Sequence, residues 1–176
     1  MTSEEITKTK FDILINAIQE LSQAKDISFI QQTVKIAARE LSGADGATFI
    51  LKDDSYCYYV DEDAISPLWK GKRFPLNSCI SGWTMQNHKT VIIPDIYKDE
   101  RIPIDAYEPT FVKSLAMVPI RKNNPLGAIG IYWADWYEAG SREVELLESL
   151  ADSTAIAIEN INTHAALKQT INELQQ

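Results

Sequence analysis

Two apolar runs dominate the hydropathy pattern of the chain. Ser114–Ile120 (SLAMVPI) and Leu126–Ala134 (LGAIGIYWA) are of strand length and flank the polar stretch RKNNP, so they predict a β-hairpin with a long turn. Neither run alternates between apolar and polar residues. Leu115, Met117 and Pro119 would face one way and Ala116, Val118 and Ile120 the other, the pattern of central strands covered above and below. Pro119 has no N–H to donate, so it predicts a bulge or the end of pairing. Gly127 and Gly130 carry no side chain and leave room for a second backbone or a bound molecule.

The rest of the chain is arranged around this hairpin. Phe11, Leu14, Ile15, Ile18 and Leu21 recur at helical spacing and predict a helix over about 4–24. Asp26 is placed to cap a second helix that buries Ile30, Val34, Ala37 and Leu41, with Gly43 at its C-terminal cap. Ala44–Leu51 and Tyr56–Val60 read as paired strands joined across Lys52–Ser55. Residues 61–75 start with Asp61, Glu62 and Asp63 and run through Pro67, Gly71 and Pro75, which predicts a loop with at most one short strand. Asn77 or Ser78 is placed to cap a short helix ending near His88. Thr90–Ile93 reads as a strand stopped by Pro94. The connection from Asp95 to Pro109 is long enough to suggest a functional lid.

From Ser141 a helical period runs without Gly or Pro to the last residue, through Leu147, Leu150, Ala151, Thr154, Ile158, Ile161, Ala165, Ile171 and Leu174. At 1.5 Å per residue such a helix is about 50 Å long, and only its first half fits against a domain of this size. Its second half calls for a partner, most simply a second copy, with Ile158, Ile161, Ala165, Ile171 and Leu174 as the expected dimer interface. The pattern is still running at Gln176, which suggests a piece of a longer protein. The chain thus divides into an N-terminal helix (1–24), a central domain (25–162) and a helical extension (163–176).

Composition narrows the function classes. The 176 residues carry 17 basic and 25 acidic side chains, net −8, with no Lys/Arg-rich run, which argues against nucleic acid or an anionic membrane surface as direct partner. No apolar segment approaches 18 residues, and the polar start MTSEEITKTK lacks the apolar core of a signal peptide. Cys57 and Cys79 are too few for a disulfide framework, so a reducing cytoplasmic setting is expected.

Three ordered stretches, ELSGADGATFILKDD, FPLNSCISGWTMQNHKTVIIPDI and SLAMVPI followed by LGAIGIYWA, resemble a GAF domain over roughly 24–162. The resemblance implies an α+β fold: a central antiparallel sheet of five to six strands, terminal helices packed on one face and a loop-covered pocket on the other. It also implies a sensor or regulatory module of a signalling protein, with a histidine kinase as the output that best suits a helix leaving the domain. The elements framing the pocket in this family bring in Tyr58, Phe74, Trp83, Asp95, Tyr97, Arg101, Phe111, Ser114 and Trp133 as candidate ligand-binding residues for an unknown small molecule. The aromatics among them are equally suited to a packed core, and Asp95 to closing a turn.

Specific ligands are weighed on the same residues. The segment DERIPIDAYEPTFVKSLAMVPI lacks the Cys that anchors a bilin in the phytochrome branch, so covalent bilin is not expected. The cyclic-nucleotide signature is matched in part by Asn87, Lys89 and Asp99-Glu100, but His88 intervenes and Asp95 stands where Phe belongs. Two separated cysteines fit poorly with the branch that reduces free methionine sulfoxide. His88 and His164 stand alone, so no metal site is expected. No nucleophile–base pair or phosphate loop is visible, so the expectation is a binding module rather than an enzyme. The alternatives are a ligand-free dimerisation scaffold or a redox enzyme working through Cys79.

Overall fold

The computed structural model describes residues 1–176. Its elements are α1 (Ser3–Ser22), α2 (Ile27–Ser42), β1 (Gly46–Asp53), β2 (Tyr56–Ala64), β3 (Arg73–Pro75), α3 (Ile80–Asn87), β4 (Val91–Ile93), α4 (Ile104–Tyr107), β5 (Ser114–Pro119), β6 (Gly127–Trp133) and α5 (Ser141–Leu174). All six strands pair antiparallel in the order β3-β2-β1-β6-β5-β4, so the β5–β6 hairpin and β1 form the centre. Every residue of β5 and β6 is buried, as expected of strands covered on both faces. Pro119 is the last residue of its ladder, opposite Ala128.

Local chemistry sets the helix ends. Thr2 and Glu5 close a capping box at the start of α1, and the Asp26 carboxylate accepts the Phe29 N–H at 2.8 Å to open α2. Gly43 ends α2 with φ +63°, where a side chain would be strained. α1, α2 and α5 cover one face of the sheet. Ile30, Val34, Leu41, Leu147, Leu150 and Ala151 meet Ala47, Phe49, Ala116, Val118, Ile129 and Ile131 there. α3, α4 and the connecting segments cover the other face.

Two sequence expectations need correction here. On α1 only Leu14, Ala17 and Leu21 are buried, while Phe11 and Ile15 are about half exposed. The acidic triplet is not a loop: β2 continues through it to Ala64, because each carboxylate finds donors. Asp61 pairs with Lys35 (2.9 Å) and Lys70 (3.1 Å), and Asp63 with Arg39 (3.0 Å). Glu62 accepts the backbone N–H groups of Leu68, Trp69 and Lys70 at 2.8–2.9 Å.

A bulge in β2 makes this possible. Phe49 stands opposite Asp61 and Ile50 opposite Tyr59, leaving Val60 as the extra residue. Without it, Tyr59 and Asp61 would share a face. With it, Asp61 turns toward Lys35 on α2 while Tyr59 turns into the opposite core.

The two central glycines do different jobs. A Cβ on Gly127 would fall 2.0 Å from the Ile50 carbonyl oxygen, so close backbone approach requires glycine there. A Cβ on Gly130 would meet the Tyr132 hydroxyl at 2.1 Å and Thr48 Oγ1 at 2.5 Å, so the vacancy is filled by this protein's own hydroxyl pair.

Candidate functional site

On the face opposite the long helices, the chain builds a cleft where α3 begins. Leu76–Ser78 forms one tight turn, and Cys79, rather than Asn77 or Ser78, is the N-cap of α3. Gly82 rests against that turn so closely that a Cβ would lie 1.9 Å from the Leu76 carbonyl oxygen. Across from it, the segment after β4 holds Arg101. The space between is a cleft of about 310 Å³ lined by Asn77, Ser78, Cys79, Trp83, Glu100, Arg101, Ile102 and Pro103. Arg101 donates two hydrogen bonds to Asp99, Nε–Oδ1 at 2.9 Å and Nη2–Oδ2 at 2.6 Å, and its guanidinium lies 4.4 Å from the Trp83 ring centre. That pairing holds the Asp99 carboxyl below its ordinary value and raises the guanidinium.

Beneath the cleft lies a chain of thiols and hydroxyls. Tyr59 OH and Ser81 Oγ are 3.0 Å apart, Ser81 donates to Cys79 Sγ at 3.3 Å, and the Cys57 and Cys79 sulfurs are 3.3 Å apart. Hydrogen bonds from the Cys57 thiol, the Ser81 hydroxyl and the Gly82 N–H draw the Cys79 thiol below its ordinary value, against the opposing effect of burial. The Cys57 thiol is raised by the same hydrogen bond, by burial and by the nearby Cys79 charge. Further in, Tyr59 meets Phe74 and Trp69 edge-on at 5.3 and 5.7 Å. Trp69 lies 4.6 Å from Tyr107 and 5.3 Å from Tyr132. Two buried oxygens in this layer, Thr84 Oγ1 and Tyr107 OH, have no hydrogen-bond partner.

The nine candidate ligand residues fall into three groups. Trp83 and Arg101 meet in the cleft, while Phe74 and Phe111 pack into the core beneath and beside it. Asp95 and Tyr97 are not part of the cleft lining: Asp95 caps the short turn Ile96–Lys98 by accepting the Tyr97 N–H at 3.0 Å, and Tyr97 is exposed. Tyr58, Ser114 and Trp133 are turned away from the cleft. Tyr58 lies one residue out of phase with Cys57 and Tyr59 and stacks against Arg73 at 3.9 Å. Trp133 belongs to the helix-side core. Ser114 Oγ donates to the Asp135 carbonyl at 2.7 Å and accepts the Tyr137 N–H, pinning the segment after β6. The residues that the sequence reading passed over are Tyr59, Ser81, Tyr107 and the contact between Cys57 and Cys79. Their signal is tertiary, because the two cysteines lie on different elements 22 positions apart.

The connection after β4 is also more ordered than the lid reading implies. It carries two short helical turns, and Ile96, Ile102, Tyr107 and Val112 anchor it in the core. The Trp69 indole donates to the Ala106 carbonyl at 2.9 Å from below.

α5 runs past the domain. Ile158 is buried in the protein's own core, and Ile161 packs against it, so these two serve the fold. From Asn162 onward every residue is exposed, Ala165, Ile171 and Leu174 among them. A groove of about 610 Å³ lies between α1 and the start of α5, lined by Ile6, Phe11, Leu14 and Leu146 with charged neighbours. It holds no thiol or buried hydroxyl and lies in the helical layer, on the face of the sheet opposite the cleft. No helix is long and apolar enough to cross a membrane.

Comparison with solved structures returns the same architecture. The GAF domain of an Acinetobacter phosphoenolpyruvate-protein phosphotransferase superposes with a TM-score of 0.76 at 14% identity, covering 90% of this chain and 98% of that one. Free methionine-R-sulfoxide reductase from Neisseria meningitidis, in complex with its substrate, gives 0.78 at 14% identity, covering 93% and 95%. The GAF domain of PixJ from Thermosynechococcus elongatus, in its blue-light-absorbing form, gives 0.67 at 19% identity, covering 83% and 90%. No curated protein sequence matches the chain. The family model described as GAF domain matches residues 24–159, and the chain therefore belongs to the GAF domain family of small-molecule-sensing and regulatory modules.

Proposed function

We propose that this domain senses a small molecule at the cleft between α3 and the 99–103 segment and passes the signal along α5 to an output such as a histidine kinase. The observation that carries this reading is the shape of α5. It is one uninterrupted helix of 34 residues whose first half is core and whose last turns stand clear of the domain. A helix fixed to the sheet at Leu147 and Leu150 and free beyond Asn162 transmits any shift of the sheet outward. Leu167, Ile171 and Leu174 are exposed there, which suits a parallel helix pair between two copies. The ligand acts by its difference in affinity between two arrangements of the 95–112 segment, whose residues 100–103 form one wall of the cleft. In this reading the domain binds and does not catalyse, and it works in the cytoplasm.

The test combines native and denaturing mass spectrometry with spin labels at Ala165. A bound mass lost on denaturation identifies the ligand, and its addition to stripped protein changes the label-to-label distance across the dimer. An unchanged distance at saturation overturns the proposal.

A second reading has its own support. The layer beneath the cleft is filled by Tyr59, Trp69, Phe74, Tyr107 and Tyr132, as in a scaffold that dimerises without ligand. That reading predicts the bare dimer mass and no ligand-dependent rise in melting temperature for any candidate.

A further inference from the structure

We propose that Cys79 and Cys57 form an oxidant-modified dithiol, in which a small hydroperoxide entering the cleft converts the pair to a disulfide. The inference goes beyond reversible ligand binding and does not depend on it.

Three observations support it. The two sulfurs are 3.3 Å apart in the reduced protein, on β2 and at the N-cap of α3. A disulfide needs about 2.05 Å, so closure takes a movement of little more than an ångström. Cys79 lines the cleft at 6% exposure whereas Cys57 is fully buried, so an oxidant reaches one sulfur and not the other. Cys79 also has polar surroundings suited to an activated thiol: Ser81 donates to its sulfur, Tyr59 lies within hydrogen-bonding distance of Ser81, and the Cys57 sulfur lies 3.3 Å away. The oxidant proposed is hydrogen peroxide or a short alkyl hydroperoxide, either small enough for a cleft of about 310 Å³.

The chemistry balances in two steps. The Cys79 thiolate attacks the terminal oxygen of the hydroperoxide, the O–O bond breaks, and the leaving alkoxide takes a proton to depart as alcohol, or as water from hydrogen peroxide. Cys79 is then a sulfenic acid, oxidised by two electrons. Cys57 gives up its proton and attacks the Cys79 sulfur, the S–O bond breaks, and hydroxide leaves with that proton as water. The sum is two thiols and one hydroperoxide giving one disulfide, one alcohol and one water.

The formed bond would draw the N-terminus of α3 toward β2 and move one wall of the cleft. Oxidation would thereby alter the site at which Trp83 and Arg101 meet.

The experiment treats the reduced full chain at pH 7 with one equivalent of hydrogen peroxide, then alkylates it under denaturing conditions and weighs it. The expected result is a mass 2 Da below the reduced chain with no alkylatable thiol, formed faster than in the urea-unfolded chain. Cys57→Ser stops at a sulfenic acid on Cys79 that a dimedone-type reagent traps. Cys79→Ser, shown folded by circular dichroism, leaves Cys57 unreacted. The proposal is overturned if both thiols stay alkylatable, if the unfolded chain reacts as fast as the native one, or if the disulfide forms only between chains.

Discussion

The two faces of the sheet are packed by different chemistries. On the helix side the core is almost wholly aliphatic, and buried hydroxyls bond to backbone, as when Thr154 donates to the Leu150 carbonyl, Ser42 to that of Ala38 and Ser114 to that of Asp135. On the cleft side the core holds four buried aromatics with polar edges, both cysteines and both methionine sulfurs of Met85 and Met117. There Thr48 pairs with Tyr132, Tyr59 with Ser81 and Cys57 with Cys79, each side chain to side chain between elements distant in sequence. The first face derives its stability mainly from apolar burial, with the Asp61–Lys35 ion pair tying β2 to α2. The second gives up part of that stability to keep reactive and polarisable groups beside an opening.

Mutations sharpen the contrast. The largest effect belongs to the helix side: Leu150→Ala, at a fully buried position, should cost about 2–5 kcal/mol in urea denaturation. A loss under 1 kcal/mol would mean that α5 is not the keystone of that face. Next comes Asp61→Asn, which breaks the link between β2 and α2 and should cost about 1–3 kcal/mol at pH 7. Burial pushes the Asp61 carboxyl up, but Lys35, the Glu62 N–H and Lys70 together pull it below its ordinary value. A lowered folded value means that its stabilisation is complete above about pH 4 and is lost as pH falls through the folded value. The acid-induced drop in stability should therefore shrink in Asp61→Asn.

The cleft side should respond more weakly to loss of its hydroxyls. Tyr59→Phe removes the partner of Ser81 and should cost about 1 kcal/mol. It should also slow alkylation of Cys79 by a small reagent near pH 7, because the Ser81 hydroxyl is no longer held toward the sulfur. The smallest effect is expected from Tyr107→Phe. Its hydroxyl is buried without a partner, so removal should leave the melting temperature unchanged or slightly raised. A marked loss would show that this oxygen has a partner, such as a ligand, that the substitution removes.

What was legible in the sequence follows the range of the interactions that carry it. The caps of α2, Asp26 and Gly43, and the apolar stripe of Ile30, Val34, Ala37 and Leu41 are local, and so are the two all-apolar strands. The sheet and its helical layer could thus be assembled from periodicity and turn chemistry. The facing of side chains around the cleft could not. The Val60 bulge is set by pairing with β1, and it decides that Asp61 faces α2 while Tyr59, in phase with Cys57, faces the cleft-side core. The acidic triplet reads as loop until Lys35, Arg39 and the 68–70 backbone are brought to it. Ser114 and Trp133 lie on β5 and β6 as expected, but on the helix-side face, a parity that depends on where each strand enters the sheet. Ile158 reads as interface and is core because the α1–α2 layer reaches further along α5 than half its length suggests.

The freestanding end of α5 also works as a lever. From Asn162 to Leu174 it reaches about 18 Å beyond its last support, at 1.5 Å per residue. A tilt of about 6° at that fulcrum moves the tip by about 2 Å, enough to change which side chains meet in a helix pair. Displacements too small to disturb the packing of the sheet are thus magnified with distance. The gain is set by helix length, so lengthening or shortening the arm by whole turns would tune the response without touching the cleft.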